Sequence, residues 1–162
     1  MGNITWFGHA SFSFKDTNGN QIYYIDPFDL TISEPEKADL VFITHAHPDH
    51  FSPNDIAKIV KNETIIIAPP DILAKIERAE NLKLAVEPNK SYEIKGFRFQ
   101  TIPAYNNNPE KLQFHPKMNK GKEFPSTCIR FPSSQSFAAT SRRDKLPMRN
   151  SECGVTPENQ TG

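Results

Sequence analysis

Apolar residues in the first hundred positions fall into short runs, and the period within each run switches between two and nearly four. Residues 3–7 and 11–15 mix aromatic and β-branched with polar side chains, as short strands do. Asp16-Thr17-Asn18-Gly19-Asn20 interrupts them with Asn-Gly, a pair that adopts positive φ at little cost. Residues 21–25 then return, so 11–25 predicts a hairpin. Leu40-Val41-Phe42-Ile43 is apolar on both faces and predicts a buried central strand. Ser52-Pro53-Asn54-Asp55 opens a helix, with Ser52 as N-cap, Pro53 in the first turn, Asp55 at the positive end of the dipole, and Ile56, Ile59 and Val60 as the buried stripe. The alternation repeats as a strand over 64–68 and a helix over 70–79 that presents Ile72, Leu73 and Ile76. Further strands follow at 84–86, 91–94 and 97–101, the last two joined by Lys95-Gly96. Strands interleaved with helices and hairpins predict a layered α/β (α+β) domain.

From about residue 126 the pattern is lost. Ser133-Ser134-Gln135-Ser136 and Ser141-Arg142-Arg143-Asp144 are polar and non-periodic, and Pro125, Pro132, Pro147 and Pro157 punctuate the stretch. The division expected is a folded domain over 1–125 and a poorly ordered tail over 126–162. The hydrophobic fraction of 36% is low for a compact domain, and the deficit is not spread evenly along the chain.

Charge narrows the partners. Lys+Arg and Asp+Glu are 19 each, and the absence of a basic-aromatic stripe argues against nucleic acid. No apolar run approaches a membrane span, and the N-terminus lacks a basic region followed by an apolar stretch, so a cytoplasmic protein acting on a small molecule is expected. Cys128 and Cys153 have no metal-type partner spacing and read as incidental thiols.

The chemistry is concentrated directly after the central strand. His45-Ala46-His47-Pro48-Asp49-His50 holds three of the chain's five histidines. His45 and His47 stand at i and i+2, so in extended backbone both side chains leave the same face and can grip one metal. Pro48 turns the chain, and Asp49 and His50 can then serve a second metal. Imidazole with carboxylate suits zinc, iron or manganese. Two adjacent divalent ions lower the pKa of water and brace the group it attacks. Elsewhere, His115 is the histidine that follows the motif and a candidate third ligand, against a surface-loop histidine. His9 is read either as a group beside the metals or substrate, or as the residue holding a turn. Asp26 orients the His-rich loop, or is the turn residue before Pro27.

Thr44-His45-Ala46-His47-Pro48-Asp49-His50 resembles the T-H-x-H-x-D-H signature of the metallo-β-lactamase superfamily. Thr5-Trp6-Phe7-Gly8-His9-Ala10-Ser11-Phe12 and Ile25-Asp26-Pro27 resemble the opening and early hairpin end of one branch, which holds zinc-dependent hydrolases and relatives of L-ascorbate-6-phosphate lactonase. The resemblance covers roughly residues 1–124. It implies an αββα sandwich, here in its N-terminal part only, with an irregular C-terminal tail. By motif position it implies His45 and His47 on the first metal, Asp49 and His50 on the second, and Asp49 as the catalytic base or its orienter. Thr101-Ile102-Pro103-Ala104-Tyr105 is similar to a strand end near which relatives place a further histidine, which favours His115.

The later part departs from that family. Its Gly-Asp-Thr-Asp segment is echoed only faintly at 138–148, where the metal-bridging position falls on Arg142, a cation unable to ligate a metal, and the final histidine is missing. The expectations are therefore a shortened copy with weak or single-metal occupancy and a sheet face left apolar and uncovered, which a homo-oligomer could cover. Three functions follow: a metal-dependent hydrolase of a small ester, lactone or phosphoester; an inactive remnant that still binds metal; and an RNase-like phosphodiesterase. An oxidoreductase using two irons is a distant fourth.

Overall fold

A computed structural model of the chain describes residues 4–16, 19–104 and 126–130. Its frame is a six-stranded sheet in which strands lie in chain order. They are β1 (Ile4–Gly8), β2 (Ser11–Lys15), β3 (Ile22–Ile25), β4 (Leu40–Phe42), β5 (Ile65–Ala68) and β6 (Lys83–Ala85). β1, β2 and β3 pair antiparallel, then β3 through β6 run parallel. The predicted hairpin is there: β2 returns as β3, with Phe12 opposite Ile25 and Lys15 opposite Ile22. The Asp16 carboxylate accepts from the Asn20 and Gln21 amides at 2.6 and 3.0 Å and closes the turn. Gly8 lies at φ 116 beside a bulge in the β1–β2 pairing, a conformation that suits glycine.

One face of this sheet is covered by helices. Helix α1 (Pro53–Ile59) begins as expected, with the Ser52 hydroxyl accepting from the Asp55 amide, and buries Ile56 and Ile59 against Val41, Ile43 and Ile66. The second helix is much shorter than 70–79. α2 (Pro70–Leu73) is a single turn, followed by a 3-10 turn at Glu80–Leu82. Two contacts explain the break. Ile76 packs against the core, and one guanidinium nitrogen of Arg78 donates to the carbonyls of Lys61, Asn62 and Thr64 at 3.0–3.1 Å. That triple contact holds the segment at the entry to β5, where a continuous helix could not follow it.

The other face is covered by a three-stranded antiparallel sheet of β7 (Ser91–Ile94), β8 (Phe97–Ala104) and β9 (Ser126–Arg130). Lys95 and Gly96 both have positive φ, 50° and 78°, as a two-residue hairpin of this twist demands. Phe97 and Phe99 pack between the sheets onto Phe14, Tyr23, Leu40, Phe42 and Ile67. β9 corrects the boundary expected at 126: its pairing with residues 100–104 extends β8 beyond 101, and Ile129 packs against the same core. Residues 131–162, with Cys153, Arg142 and Asp144, lie outside the described residues.

The described layers are thus helix, sheet, sheet. The expectation of an uncovered apolar sheet face is not met among the described residues. β7 and β8 turn Ser91, Glu93, Arg98 and Gln100 outward, and Arg98 pairs with Glu93 at 2.7 Å. Alternation along both strands puts their aromatic residues inward and their polar ones out. Among the described residues no helix is long and apolar enough to cross a membrane.

Candidate metal centre

In a sheet of parallel strands, ligands gather beyond the carboxyl ends. Here β3 and β4 end side by side, the Asp26 amide still donating to the Phe42 carbonyl at 2.9 Å. Asp26 follows β3, and Thr44-His45 follow β4. Residues 47–50 then turn, with the His50 and Phe51 amides both bonded to the His47 carbonyl at 3.0 and 2.8 Å, and α1 starts at once. A buried strand on one side and a capped helix on the other hold a six-residue loop that carries four donors.

The ring nitrogens pair as the i, i+2 spacing predicts. His45 Nε2 and His47 Nδ1 are 3.1 Å apart, against roughly 3.3 Å for two nitrogens on one tetrahedral zinc ion. His50 Nε2 and Asp49 Oδ2 are 3.6 Å apart and form the second pair. The pairs are neighbours, since the His45 and His50 rings lie 3.9 Å between centroids. Donor chemistry and separations therefore fit a divalent metal at each pair. Among the described residues, however, no three His, Cys, Asp or Glu side chains gather around one point. The donors come in twos, and His115, the expected third ligand of the first pair, lies outside the described residues.

Asp26 organises this loop. It is buried, and its φ of 43° is one that Asp tolerates. One carboxylate oxygen accepts from the Thr44 amide at 2.8 Å. The other meets the Thr44 hydroxyl at 2.7 Å and His50 Nδ1 at 2.8 Å. The two readings of Asp26 are both visible in the geometry: it makes the turn, and it touches the His-rich loop. Burial works against the His50 imidazolium, but the hydrogen bond and charge of Asp26 and the charge of Asp49 prevail and raise the His50 pKa.

His9 is exposed on the turn between β1 and β2, at φ 46°. Its carbonyl accepts from the Trp6 indole at 3.0 Å, and its ring meets Phe28 edge-on at 5.4 Å. These contacts are those of a turn residue. Two contributors were missed from sequence. Thr44 touches Asp26, His45 and, at 3.4 Å, His50 through one hydroxyl, and its adjacency to His45 was the available signal. Asp55 accepts from the Asp29 and Leu30 amides at 3.0 and 3.2 Å, and so ties the segment after Asp26 to the first turn of α1. Nothing local in the sequence marks a partner that far away.

Comparison with known proteins places this fold and loop. The β-lactamase superfamily domain model matches residues 3–123, and the chain belongs to the metallo-β-lactamase superfamily. A Thermodesulfovibrio yellowstonii protein named a metal-dependent hydrolase is 28% identical over 148 residues, covering 81% of this chain and 48% of that protein. The chain thus spans about half the length of that curated relative. Among solved structures, a candidate metal-dependent hydrolase from Parabacteroides distasonis matches with a TM-score of 0.64 at 24% identity, covering 79% of this chain and 55% of its own. CmlA, a diiron β-hydroxylase from Streptomyces venezuelae, matches with a TM-score of 0.55 at 16% identity over 79% of this chain and 27% of its own. Both structures share the fold.

Proposed function

We propose that this chain carries the metal-binding part of a metal-dependent hydrolase that cleaves a small ester, lactone or phosphoester. The observation that carries the reading is the pairing of donors on one loop, His45 Nε2 with His47 Nδ1 at 3.1 Å and Asp49 Oδ2 with His50 Nε2 at 3.6 Å. The name of the Thermodesulfovibrio relative agrees with it. Zinc is the favoured ion, with iron or manganese as alternatives on the same donors; the fold shared with CmlA, a diiron β-hydroxylase, supports iron as one of them.

His45 and His47 would hold one ion, Asp49 and His50 a second, with His115 completing the first set. A divalent ion so held supplies an acidified water and polarises the group under attack. The chain's own residues do the rest. Asp26 holds His50 in place through Nδ1. The Asp49 side chain is 44% exposed, so its carboxylate can reach an entering substrate and accept the proton that the attacking water gives up. A small polar molecule is the expected substrate.

Metal content measured by elemental analysis, wild type beside His47→Ala, tests the reading. Metal at one equivalent or more in the wild type and its loss in the variant are expected, with hydrolysis of a p-nitrophenyl ester or phosphodiester following the metal. Wild-type protein that takes up no zinc, iron or manganese overturns it. The arrangement of donors in twos favours a second reading, metal binding without turnover. A metal-loaded, folded chain inert toward both probes would establish that one.

A further inference from the structure

Asp26 contacts His50 directly but reaches His45 only through Thr44. The Thr44 oxygen lies 2.7 Å from Asp26 Oδ2 and 2.9 Å from His45 Nδ1. A hydroxyl has one proton, and an ionised carboxylate can only accept. The short contact with Asp26 therefore consumes the Thr44 proton, since two oxygens with no proton between them would repel at that distance. His45 Nδ1 must then be the donor in its contact with Thr44. A neutral imidazole carries one proton, so a proton on Nδ1 leaves Nε2 as the lone-pair nitrogen. Nε2 is the atom paired with His47 Nδ1 at 3.1 Å. The same logic applied to His50 in its neutral form, whose Nδ1 donates to Asp26 at 2.8 Å, leaves Nε2 as the lone-pair nitrogen on the side of Asp49.

We propose that Thr44 is a positioning residue whose hydroxyl relays Asp26 to His45 and fixes the ring tautomer that offers Nε2 to a metal. One buried carboxylate thereby sets a ligand in each of the two donor pairs, directly in His50 and through Thr44 in His45. The proposal rests on the metal-site reading for its purpose, but the tautomer itself is a property of the metal-free chain.

Valine is close to threonine in shape and lacks the hydroxyl, and serine keeps it. The Thr44 amide bond to Asp26 Oδ1 is backbone and survives both changes. Nitrogen-15 NMR of the imidazoles in metal-free protein, above the imidazole titration range, reports which nitrogen carries the proton. Wild type and Thr44→Ser are expected to show His45 protonated at Nδ1. Thr44→Val is expected to shift His45 toward the Nε2-protonated form, while His50 keeps its Nδ1 proton. Zinc titration should then show a fall of about 10–100-fold in affinity for Thr44→Val and a much smaller one for Thr44→Ser. A wild-type His45 protonated at Nε2, or an unchanged tautomer in Thr44→Val, overturns the proposal whether or not zinc binds. If the tautomers behave as stated and wild-type protein binds no metal, the metal-site reading fails while the relay stands.

Discussion

Replacing Asp26 by Asn separates the carboxylate's charge from its shape. Asn keeps the volume and the tolerance for a φ of 43°. It also keeps one oxygen for the Thr44 amide, now 2.8 Å from Oδ1. The other position becomes an NH2 group, facing the Thr44 hydroxyl and His50 Nδ1 where both had donated at 2.7 and 2.8 Å. A hydrogen bond to a charged group contributes about 1.5–3 kcal/mol. Two such bonds are lost, and part returns if the hydroxyl and the His50 ring exchange donor for acceptor roles. A net destabilisation of about 2–3 kcal/mol is expected from that balance. The recovery has a consequence for the site, because the reversed proton order places protons on Nε2 of His45 and His50, the atoms proposed to bind metal. Zinc affinity should fall by about 10–100-fold, the range for partners that orient metal ligands. Asp26→Ala loses every acceptor and adds roughly 1–2 kcal/mol of backbone cost at positive φ, so it should rank below Asn in stability. Urea unfolding of metal-free protein gives the first quantity and calorimetric zinc titration the second. An Asn variant within about 0.5 kcal/mol of wild type, an ordinary surface effect, and with unchanged zinc affinity would refute the reasoning.

Two further outcomes test the frame around the site. Burial disfavours ionised Asp55, but donors from Lys58, Ser52 and Leu30 outweigh it and hold the pKa below 3.8. A depressed carboxylate contributes stability that is present above its unfolded value and lost as pH falls through the lower folded one, so the chain should weaken below about pH 4. Asp55→Asn should be less stable at neutral pH and show a shallower loss in acid; equal acid slopes in urea unfolding would contradict this. Phe99 is 1% exposed between the two sheets, so Phe99→Ala should cost about 3–5 kcal/mol in the same unfolding assay, and a cost under about 1 kcal/mol would mean that the three-stranded sheet is not packed as described.

What could be read from the residues, and what could not, follows from the range of the interactions. The loop at 45–50 was legible because its donors are neighbours in the chain: an i, i+2 pair needs only extended backbone, and a Pro-Asp-His turn needs only the next three residues. β4 was legible because the four consecutive apolar residues 40–43 suit a strand buried on both faces. The failures are all long-range. α2 stops because Arg78 is captured by carbonyls from the turn before β5, which no helical period over 70–79 could register. Ser126-Thr127-Cys128-Ile129-Arg130 looked like the start of a polar tail, yet pairing with β8 makes it a strand, since an edge tolerates alternate polar residues once a neighbour satisfies its backbone. The apolar face expected from a half-length sandwich is polar where it is described, because Glu93, Arg98 and Gln100 occupy the outer positions of β7 and β8. In the site the same division holds. The paired donors are neighbours in the chain and stand out in it; Asp26, which contacts His50, comes from the end of another strand, and Thr44 is seen to touch both Asp26 and His45 only in the folded chain.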